Sequence, residues 1–223
     1  MKKTTWRKAT ALAAGAAMLL GMAGLAWAEE VIKVGVVGPR TGSAAATGTA
    51  FEEGITLALE RINAKGGVLG KKLEVVFEDT AGDPQKAASG LEKLITKDKV
   101  VMAMGESHSS AALAEIDVAD RYKLPLIIAE AWHDDITKKN YKYVFRAGPS
   151  NSGVVDDAIL GFIKANGFKR VAIVAENTDW GLGIKDLAEA GLKAAGVATE
   201  VFITERQSQD HYTELNKIKN FKP

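Results

Sequence analysis

The chain has 223 residues, with 29 basic and 28 acidic side chains, three histidines and no cysteine. Because the charges are nearly balanced and interspersed, the composition argues against a nucleic-acid-binding protein, and the absence of cysteine excludes disulfide bonds. The length is enough for one large domain or two small ones.

The N-terminal residues have the pattern of an export signal. Four basic residues within residues 1–8 precede an apolar run over residues 9–26, which ends in the small-x-small triplet Ala26-Trp27-Ala28. We predict a signal peptide over residues 1–28, cleaved after Ala28, and therefore a periplasmic protein. The alternative is a membrane anchor, but glycines interrupt the apolar run, and Glu29 and Glu30 follow it directly. Removing the signal leaves 25 basic and 28 acidic residues, a net charge of −3.

From residue 31 onward, apolar runs typical of buried strands alternate with segments of helical periodicity. Phe51, Ile55, Leu59 and Ile62, for example, form one apolar stripe of a helix. Strands are predicted at residues 31–37, 73–77, 100–104, 126–129, 143–146, 171–175 and 199–204. After a loop at 38–49, helices are predicted at residues 51–63, from 84 onward, and at 109–122, 153–166, 182–195 and 212–219. Because the strands are nearly continuous apolar runs, we expect an α/β doubly wound fold with parallel sheets covered on both faces.

A cluster of Gly, Pro, Ser and Asn at residues 147–153 separates five predicted strands from the last two. We therefore predict an N-terminal lobe over residues 29–148 and a partial C-terminal lobe over residues 149–223. A parallel sheet of two strands leaves its edges open, so we expect the second lobe to be incomplete and the chain to be truncated within it.

The motifs of enzymes and cofactor sites are missing or incomplete. The loop after the first strand does not match the Gly-x-Gly-x-x-Gly pattern of dinucleotide sites, no phosphate-binding loop is present, and no two histidines have metal-ligand spacing. Residues 105–109 approach the Gly-x-Ser-x-Gly form of a hydrolase nucleophile, but Ser109 stands in place of the second glycine. We therefore predict a protein with no enzymatic activity, no cofactor and no metal.

Polar residues follow several predicted strands at their carboxyl ends, where open α/β sheets bind ligands. Ser109 and Ser110 open the helix after the third strand, so their hydroxyls and backbone N–H groups form a predicted carboxylate site, although serines here could simply cap the helix. His133 could donate to the same carboxylate, with Trp132 beside it as a pocket wall or as ordinary packing. Trp180 begins a helix of the second lobe, and its indole could close over a ligand or pack on a glycine turn.

Several short motifs follow one another along the chain in a family-specific order. They are Val31-Ile32-Lys33-Val34-Gly35-Val36 with Thr41-Gly42, Ile62-Asn63-Ala64-Lys65-Gly66-Gly67, Gly70-Lys71-Lys72-Leu73-Glu74, Asp79 and Asp83-Pro84. With these motifs the chain resembles, over residues 31–223, the leucine/isoleucine/valine-binding proteins of ABC importers. The resemblance implies a type I periplasmic binding protein, in which two α/β lobes joined by three crossover strands close on a small ligand and then dock on a membrane permease. It also implies family members of greater length, in agreement with a truncated second lobe.

The resemblance also assigns site residues. By position, Ser109 matches the serine that holds the ligand carboxylate, and Ala131 matches the residue that offers its backbone. His133 lies where the family usually has Thr or Ser, Trp180 where it usually has Tyr, and Thr47 where an aromatic side chain often contacts the ligand. These departures leave the side chain of the ligand open.

The predicted function is the capture of a small carboxylate-bearing ligand, above all a branched-chain or similar amino acid, by a monomeric protein that serves a permease. An aromatic acid, amide or urea ligand is the alternative that Trp132, His133 and Trp180 favour. A sensory ligand-binding domain is a competing class, although such domains are normally tethered to a membrane helix. According to the resemblance, the acidic residue that binds the amine of an amino acid would lie beyond Pro223.

Overall fold

A computed structural model of the protein describes residues 31–223. The predicted signal peptide and its cleavage point lie outside the described residues. Residues Ile32–Pro223 form one compact unit, which contains all the strands and helices given below. None of the described helices is long and apolar enough to cross a membrane.

Within the described residues, seven strands form two parallel sheets. The first sheet has the strand order β2-β1-β3-β4-β5, and the second pairs β6 with β7. The strands are β1 (Ile32–Gly38), β2 (Leu73–Asp79), β3 (Met102–Gly105), β4 (Leu126–Ile128), β5 (Val144–Arg146), β6 (Arg170–Glu176) and β7 (Ala198–Thr204). The predicted α/β class, the parallel strands and the division into five strands and two are confirmed. The predicted lobe boundary after residue 148 falls in the connection between β5 and β6 and stays a prediction.

Helices connect the strands along the chain. The α-helices of the described residues are α1 (Ala45–Ala64), α2 (Pro84–Lys93), α3 (Ser109–Tyr122), α4 (Asp135–Lys138), α5 (Asn151–Gly153), α6 (Gly161–Asn166), α7 (Asp179–Ala194) and α8 (Tyr212–Phe221). A π-helical segment, Leu94–Asp98, continues α2, and another, Val154–Leu160, joins α5 to α6. The side chain of Asp83 caps α2 by accepting the N–H of Lys86 at 2.8 Å, and Gly167, with φ +68°, ends α6. The sequence predicted both of these ends.

The main hydrophobic core lies between the five-stranded sheet and helices α2 and α3. Leu91 of α2, Ile116 of α3, Val37 of β1 and Leu126 of β4 are fully buried in one cluster. Each such side chain stabilises the fold by about 1.5–3 kcal/mol relative to an exposed position. The candidate site lies at the carboxyl ends of strands that pack against this core.

Helix α1 begins earlier than predicted. The segment from Ala45 to Thr49 was expected to be a loop, but it forms the N-terminal part of a helix that runs to Ala64. Two physical reasons explain the difference: alanine has the highest helix propensity, and Gly48 lets this turn pack directly on the chain, since a Cβ there would lie 2.1 Å from the carbonyl oxygen of Pro39. As a consequence, Thr47 lies on a helix and not in a flexible loop.

Other segments differ from the prediction in smaller ways. Helix α7 begins at Asp179, three residues before the predicted start, because the Thr178 side chain accepts the N–H of Gly181 at 3.2 Å as an N-terminal cap. The helix predicted over residues 153–166 is divided into α5, a π-helical segment and α6. Hydrophobic periodicity did not reveal the π-helical segments, because each is only a short departure from the spacing of 3.6 residues per turn.

Candidate functional site

An open cleft of about 510 Å³ lies at the carboxyl ends of strands from both sheets. Its lining consists of Ser43, Thr47, Ser107, His108, Ser109, Glu130 and Trp132 on the side of the five-stranded sheet, and of Glu176, Trp180, Arg206 and Gln207 on the side of the two-stranded sheet. The volume falls in the range of roughly 300–1,000 Å³ that is usual for small-molecule sites. Among residues 31–223, no group of three or more His, Asp or Glu side chains could hold a metal ion.

The register of the strands brings the lining loops together. Val37 pairs with Gly105, and Gly105 pairs with Ile128, so that β1, β3 and β4 end at one level of the first sheet. In the second sheet, Glu176 pairs with Thr204 at the ends of β6 and β7. The loops that follow these strands consequently lie along one edge of each sheet, which is the edge where open α/β sheets bind ligands.

Ser109 places a buried hydroxyl in this cleft. It is the first residue of α3 and only 2% exposed, yet it lines the cleft. Its Oγ accepts a hydrogen bond from the backbone N–H of His133 at 3.2 Å. The described residues provide no acceptor for its O–H, so this hydrogen can be donated to a ligand.

The N-terminus of α3 opens beside Ser109 without a side-chain cap. His108 precedes the helix in an extended conformation but does not cap it, whereas α2 and α7 are capped by Asp83 and Thr178. The first N–H groups of a helix have no intrahelical acceptor and carry partial positive charge, which favours an anion. Together with the Ser109 hydroxyl, this helix end can hold a carboxylate.

The fully buried Glu106 organises the loops around this end of α3. Its Oε1 accepts the backbone N–H groups of Ser107 at 2.8 Å and His108 at 3.0 Å, and its Oε2 accepts the hydroxyl of Thr80 at 2.8 Å. Its backbone carbonyl accepts the N–H of Ala131 at 3.3 Å, in the loop that follows β4. One residue therefore links the loop after β2 to the loops after β3 and β4, which line this side of the cleft.

The turn at Glu106 depends on the glycine before it. Gly105 has φ +132°, a conformation that strongly favours glycine, and a Cβ there would lie 1.8 Å from the carbonyl oxygen of Val37. The close approach of β3 to β1 is therefore possible only without a side chain at this position.

A second buried acid, Glu115, lies on α3. It is 0% exposed, and neither of its carboxyl oxygens has a hydrogen-bond partner within the described residues. Burial, reinforced by the negative charge of Glu106, raises the pKa of Glu115 well above its usual value. Glu115 is accordingly neutral at moderately acidic pH, where exposed carboxyl groups are already ionised.

Two tryptophans flank the cleft from opposite sides. The rings of Trp132 and Trp180 are 6.3 Å apart between centroids and meet edge to face at 76°. Asn151, only 1% exposed, connects their backbones: its N–H donates to the carbonyl of Trp132 at 2.8 Å, and its Nδ2 donates to the carbonyl of Trp180 at 3.2 Å. Asn151 therefore holds together the two backbone segments that carry Trp132 and Trp180.

The predicted site residues divide into two groups. Thr47, Ser109 and Trp180 line the cleft. Ser110 and His133 are half-buried and Ala131 is buried, and none of the three belongs to the lining. Their contributions to ligand binding stay predictions.

His133 is held by its surroundings. Its Nδ1 accepts the N–H of Asp135 at 3.2 Å, and its carbonyl accepts a hydrogen bond from Nη1 of Arg146 at 2.9 Å. Gly183 of α7 lies so near that a Cβ there would be 3.1 Å from Cδ2 of His133. In this arrangement the ring packs between the end of the first sheet and α7, beside the cleft.

Sequence reasoning missed the polar residues of the second sheet. Glu176 ends β6 and accepts hydrogen bonds from Nε of Arg206 at 3.1 Å and Nη2 at 3.4 Å, so that an ion pair forms part of the wall. The rule that ligands bind at the carboxyl ends of strands, applied to Ser109 in the first lobe, also points to Glu176 and to the residues just after Thr204.

Comparison with known proteins shows which family the chain belongs to. A family model described as "Periplasmic binding protein" matches residues 31–223. The leucine-, isoleucine-, valine-, threonine- and alanine-binding protein of Pseudomonas aeruginosa is 31% identical over 205 residues, which are 91% of this chain and 53% of that protein. The chain thus spans about half the length of the curated relatives it matches.

Solved structures agree with the sequence relatives. The leucine binding protein of Thermotoga maritima superposes with a TM-score of 0.80 at 26% identity, over 86% of this chain and 54% of that chain. A solute binding protein of an ABC transporter from Rhodopseudomonas palustris, in complex with 3,4-dihydroxybenzoic acid, superposes with a TM-score of 0.76 at 28% identity, over 86% and 52% of the two chains. The chain therefore belongs to the type I periplasmic binding proteins, the family that includes the leucine/isoleucine/valine-binding proteins, as the sequence predicted.

Proposed function

We propose that the protein captures a small carboxylate-bearing ligand in the periplasm, above all a branched-chain or similar amino acid, as the substrate-binding component of an ABC importer. The observation that carries this proposal is the buried Ser109 hydroxyl, free to donate, beside the uncapped N-terminus of α3 in a cleft of small-molecule size. A carboxylate placed there receives hydrogen bonds from an oriented hydroxyl and from backbone N–H groups. We keep Ser110, Ala131 and His133 as proposed ligand-binding residues, although none of the three belongs to the lining of the cleft.

The two walls of the cleft support capture by closure. Ser109 and Trp132 come from the first sheet, and Trp180 and Arg206 come from the second. A ligand bound at α3 is then covered by Trp180 when the walls approach, as in hinge closure of binding proteins. The name of the Pseudomonas aeruginosa relative supports an amino acid as the ligand. In this role the protein binds as a monomer, performs no chemistry on its ligand and delivers it to a membrane permease.

A second candidate ligand is an aromatic acid. The edge-to-face pair of Trp132 and Trp180 provides aromatic surface next to the carboxylate site, and the Rhodopseudomonas palustris protein holds 3,4-dihydroxybenzoic acid. The carboxylate would occupy the same end of α3, and the ring would lie against the indoles.

Isothermal titration calorimetry of the purified protein tests both candidates. Leucine, isoleucine, valine and 3,4-dihydroxybenzoate are titrated separately, with glucose as an uncharged ligand that has no carboxylate. Saturable binding of an aliphatic amino acid supports the main proposal, and binding of the benzoate alone supports the second candidate. Binding of none of the four acids contradicts the proposed function.

A further inference from the structure

Two acidic side chains line the cleft, and their surroundings differ. Glu176 is held by Nε and Nη2 of Arg206 and also accepts the hydroxyl of Thr178 at 3.1 Å. Glu130 is exposed, and the structure gives its carboxylate no hydrogen-bond or ion-pair partner within residues 31–223. One of the two negative charges is therefore matched by a cation of the protein, and the other is available to a ligand.

The backbone at Glu130 is fixed next to the carboxylate site. The N–H of Glu130 donates to the carbonyl of Glu106 at 3.2 Å, and the N–H of His133 donates to Ser109 at 3.2 Å. These two hydrogen bonds tie the loop after β4 to the segment from Glu106, which follows β3, to Ser109, which begins α3. The Glu130 side chain consequently leaves an ordered loop on the same wall of the cleft as Ser109.

This pairing of an anion site with an unpaired carboxylate favours a particular ligand charge. The end of α3 attracts a negative group, whereas Glu130 repels one and attracts a positive group. A simple carboxylic acid gains from the first and loses from the second. An α-amino acid, whose ammonium lies one carbon atom from its carboxylate, is attracted by both.

We propose that Glu130 receives the ammonium group of the ligand and thereby selects α-amino acids over simple carboxylic acids. The proposal rests on the proposed function, since it assigns the second charged group of the same bound ligand. It places an amine-binding acid within the present chain, on the first wall of the cleft, where the sequence had assigned no role to Glu130.

The test compares two ligands that differ only in the amine. Leucine and 4-methylpentanoate, which has the same carbon skeleton without the amine, are titrated into the purified protein by calorimetry. In Glu130→Gln we expect the affinity for leucine to fall about tenfold, the scale of a lost hydrogen bond to a charged group, and the affinity for 4-methylpentanoate to stay the same or rise. Glu130→Lys should increase this contrast, because the new cation repels the ammonium and attracts the carboxylate.

Glu60→Gln is the matched control, since it removes an exposed acid of α1 that does not line the cleft. It should leave both affinities unchanged, and thermal unfolding of each variant reports on its folding. Equal changes for both ligands in Glu130→Gln, or no change for either, would overturn the role of Glu130 and leave the carboxylate site intact. If neither acid binds the unaltered protein, the proposed function fails, and the role of Glu130 fails with it.

Discussion

The backbone N–H of His133 donates a hydrogen bond to the hydroxyl oxygen of Ser109 at 3.2 Å. This bond joins the loop after β4 to the first turn of α3, and it directs the hydroxyl hydrogen of Ser109 away from His133. In the proposed site, a ligand carboxylate would meet a hydroxyl that this bond already orients, so that little side-chain freedom would be lost on binding.

Replacement of Ser109 by Ala removes that donor. We expect Ser109→Ala to weaken binding of the carboxylate ligand by about 1.5–3 kcal/mol, since a hydrogen bond to a charged group is lost. Calorimetry measures the change. Ser89→Ala, at an exposed serine of α2 whose Oγ donates to the carbonyl of Lys86, is the control and should bind like the unaltered protein. An unchanged affinity in Ser109→Ala would remove Ser109 from the site.

The tryptophans provide an optical test of closure. Trp132 and Trp180 are the two tryptophans of the described residues, and both line the cleft. Ligand binding should change their fluorescence as Trp180 becomes less exposed than its present 40%. Trp180→Phe should weaken binding by about 0.5–1.5 kcal/mol through the lost indole contacts and should diminish the fluorescence change. A fluorescence titration that is the same for both proteins would show that Trp180 does not cover the ligand.

Loss of the buried amide of Asn151 should loosen the two tryptophan segments. Asn151→Ala removes the donor to the Trp180 carbonyl, and we expect the free energy of unfolding to fall by about 1–2 kcal/mol. Urea denaturation measures this loss. Asn166→Ala removes an exposed hydrogen bond from the Asn166 side chain to the carbonyl of Phe162. This variant should lower the free energy of unfolding by no more than about 0.5 kcal/mol. Equal losses in the two variants would argue against a special role for Asn151.

Glu115 makes stability depend on pH in a defined direction. Burial and the charge of Glu106 raise the pKa of Glu115 in the folded protein well above the ordinary glutamate value of 4.5, which applies in the unfolded chain. The folded state therefore keeps a proton that the unfolded state releases. As a result, the free energy of unfolding falls as the pH rises above 4.5, and the fall ends once the pH exceeds the raised pKa of the folded state.

Glu115→Gln cannot titrate and should show a flatter profile over the same pH range. Urea denaturation at a series of pH values above 4.5 compares the two proteins, with Glu60→Gln as a variant that also loses one carboxyl group but at an exposed position. Parallel profiles for the unaltered protein and Glu115→Gln would contradict the neutral state of the buried acid.

Local signals in the sequence predicted much of the fold. Helix α3 has the predicted bounds, residues 109–122, because a polar loop, apolar periodicity and the following turn all mark it. The sequence also placed Ser109 and Trp180 just after strands, one in each sheet, and the carboxyl ends of strands are where open α/β sheets bind ligands. The early start of α1 was missed because runs of small residues resemble a loop when their packing is unknown.

The remaining parts of the site depend on contacts between distant residues. Arg206 and Glu176 are 30 positions apart and pair only because β6 and β7 lie side by side. The burial of Glu106 and Glu115 is likewise invisible in a sequence, where both look like ordinary surface acids. Asn151 appeared as part of a polar linker, although its role is to hold two segments that are far from it in the chain.

Glu106 binds the backbone of two loops of the cleft, so the shape of the cleft and its preference among ligands depend on different residues. Its carboxylate and its carbonyl hold the main chain of both loops on the first wall, so the path of these loops does not depend on the side chains that project from them. The Glu130 side chain can therefore be exchanged while the backbone at the proposed carboxylate site stays in place. In the proposed function, a substitution at Glu130 would therefore change which ligand the cleft prefers, while Trp132 and Trp180 would still report binding by their fluorescence.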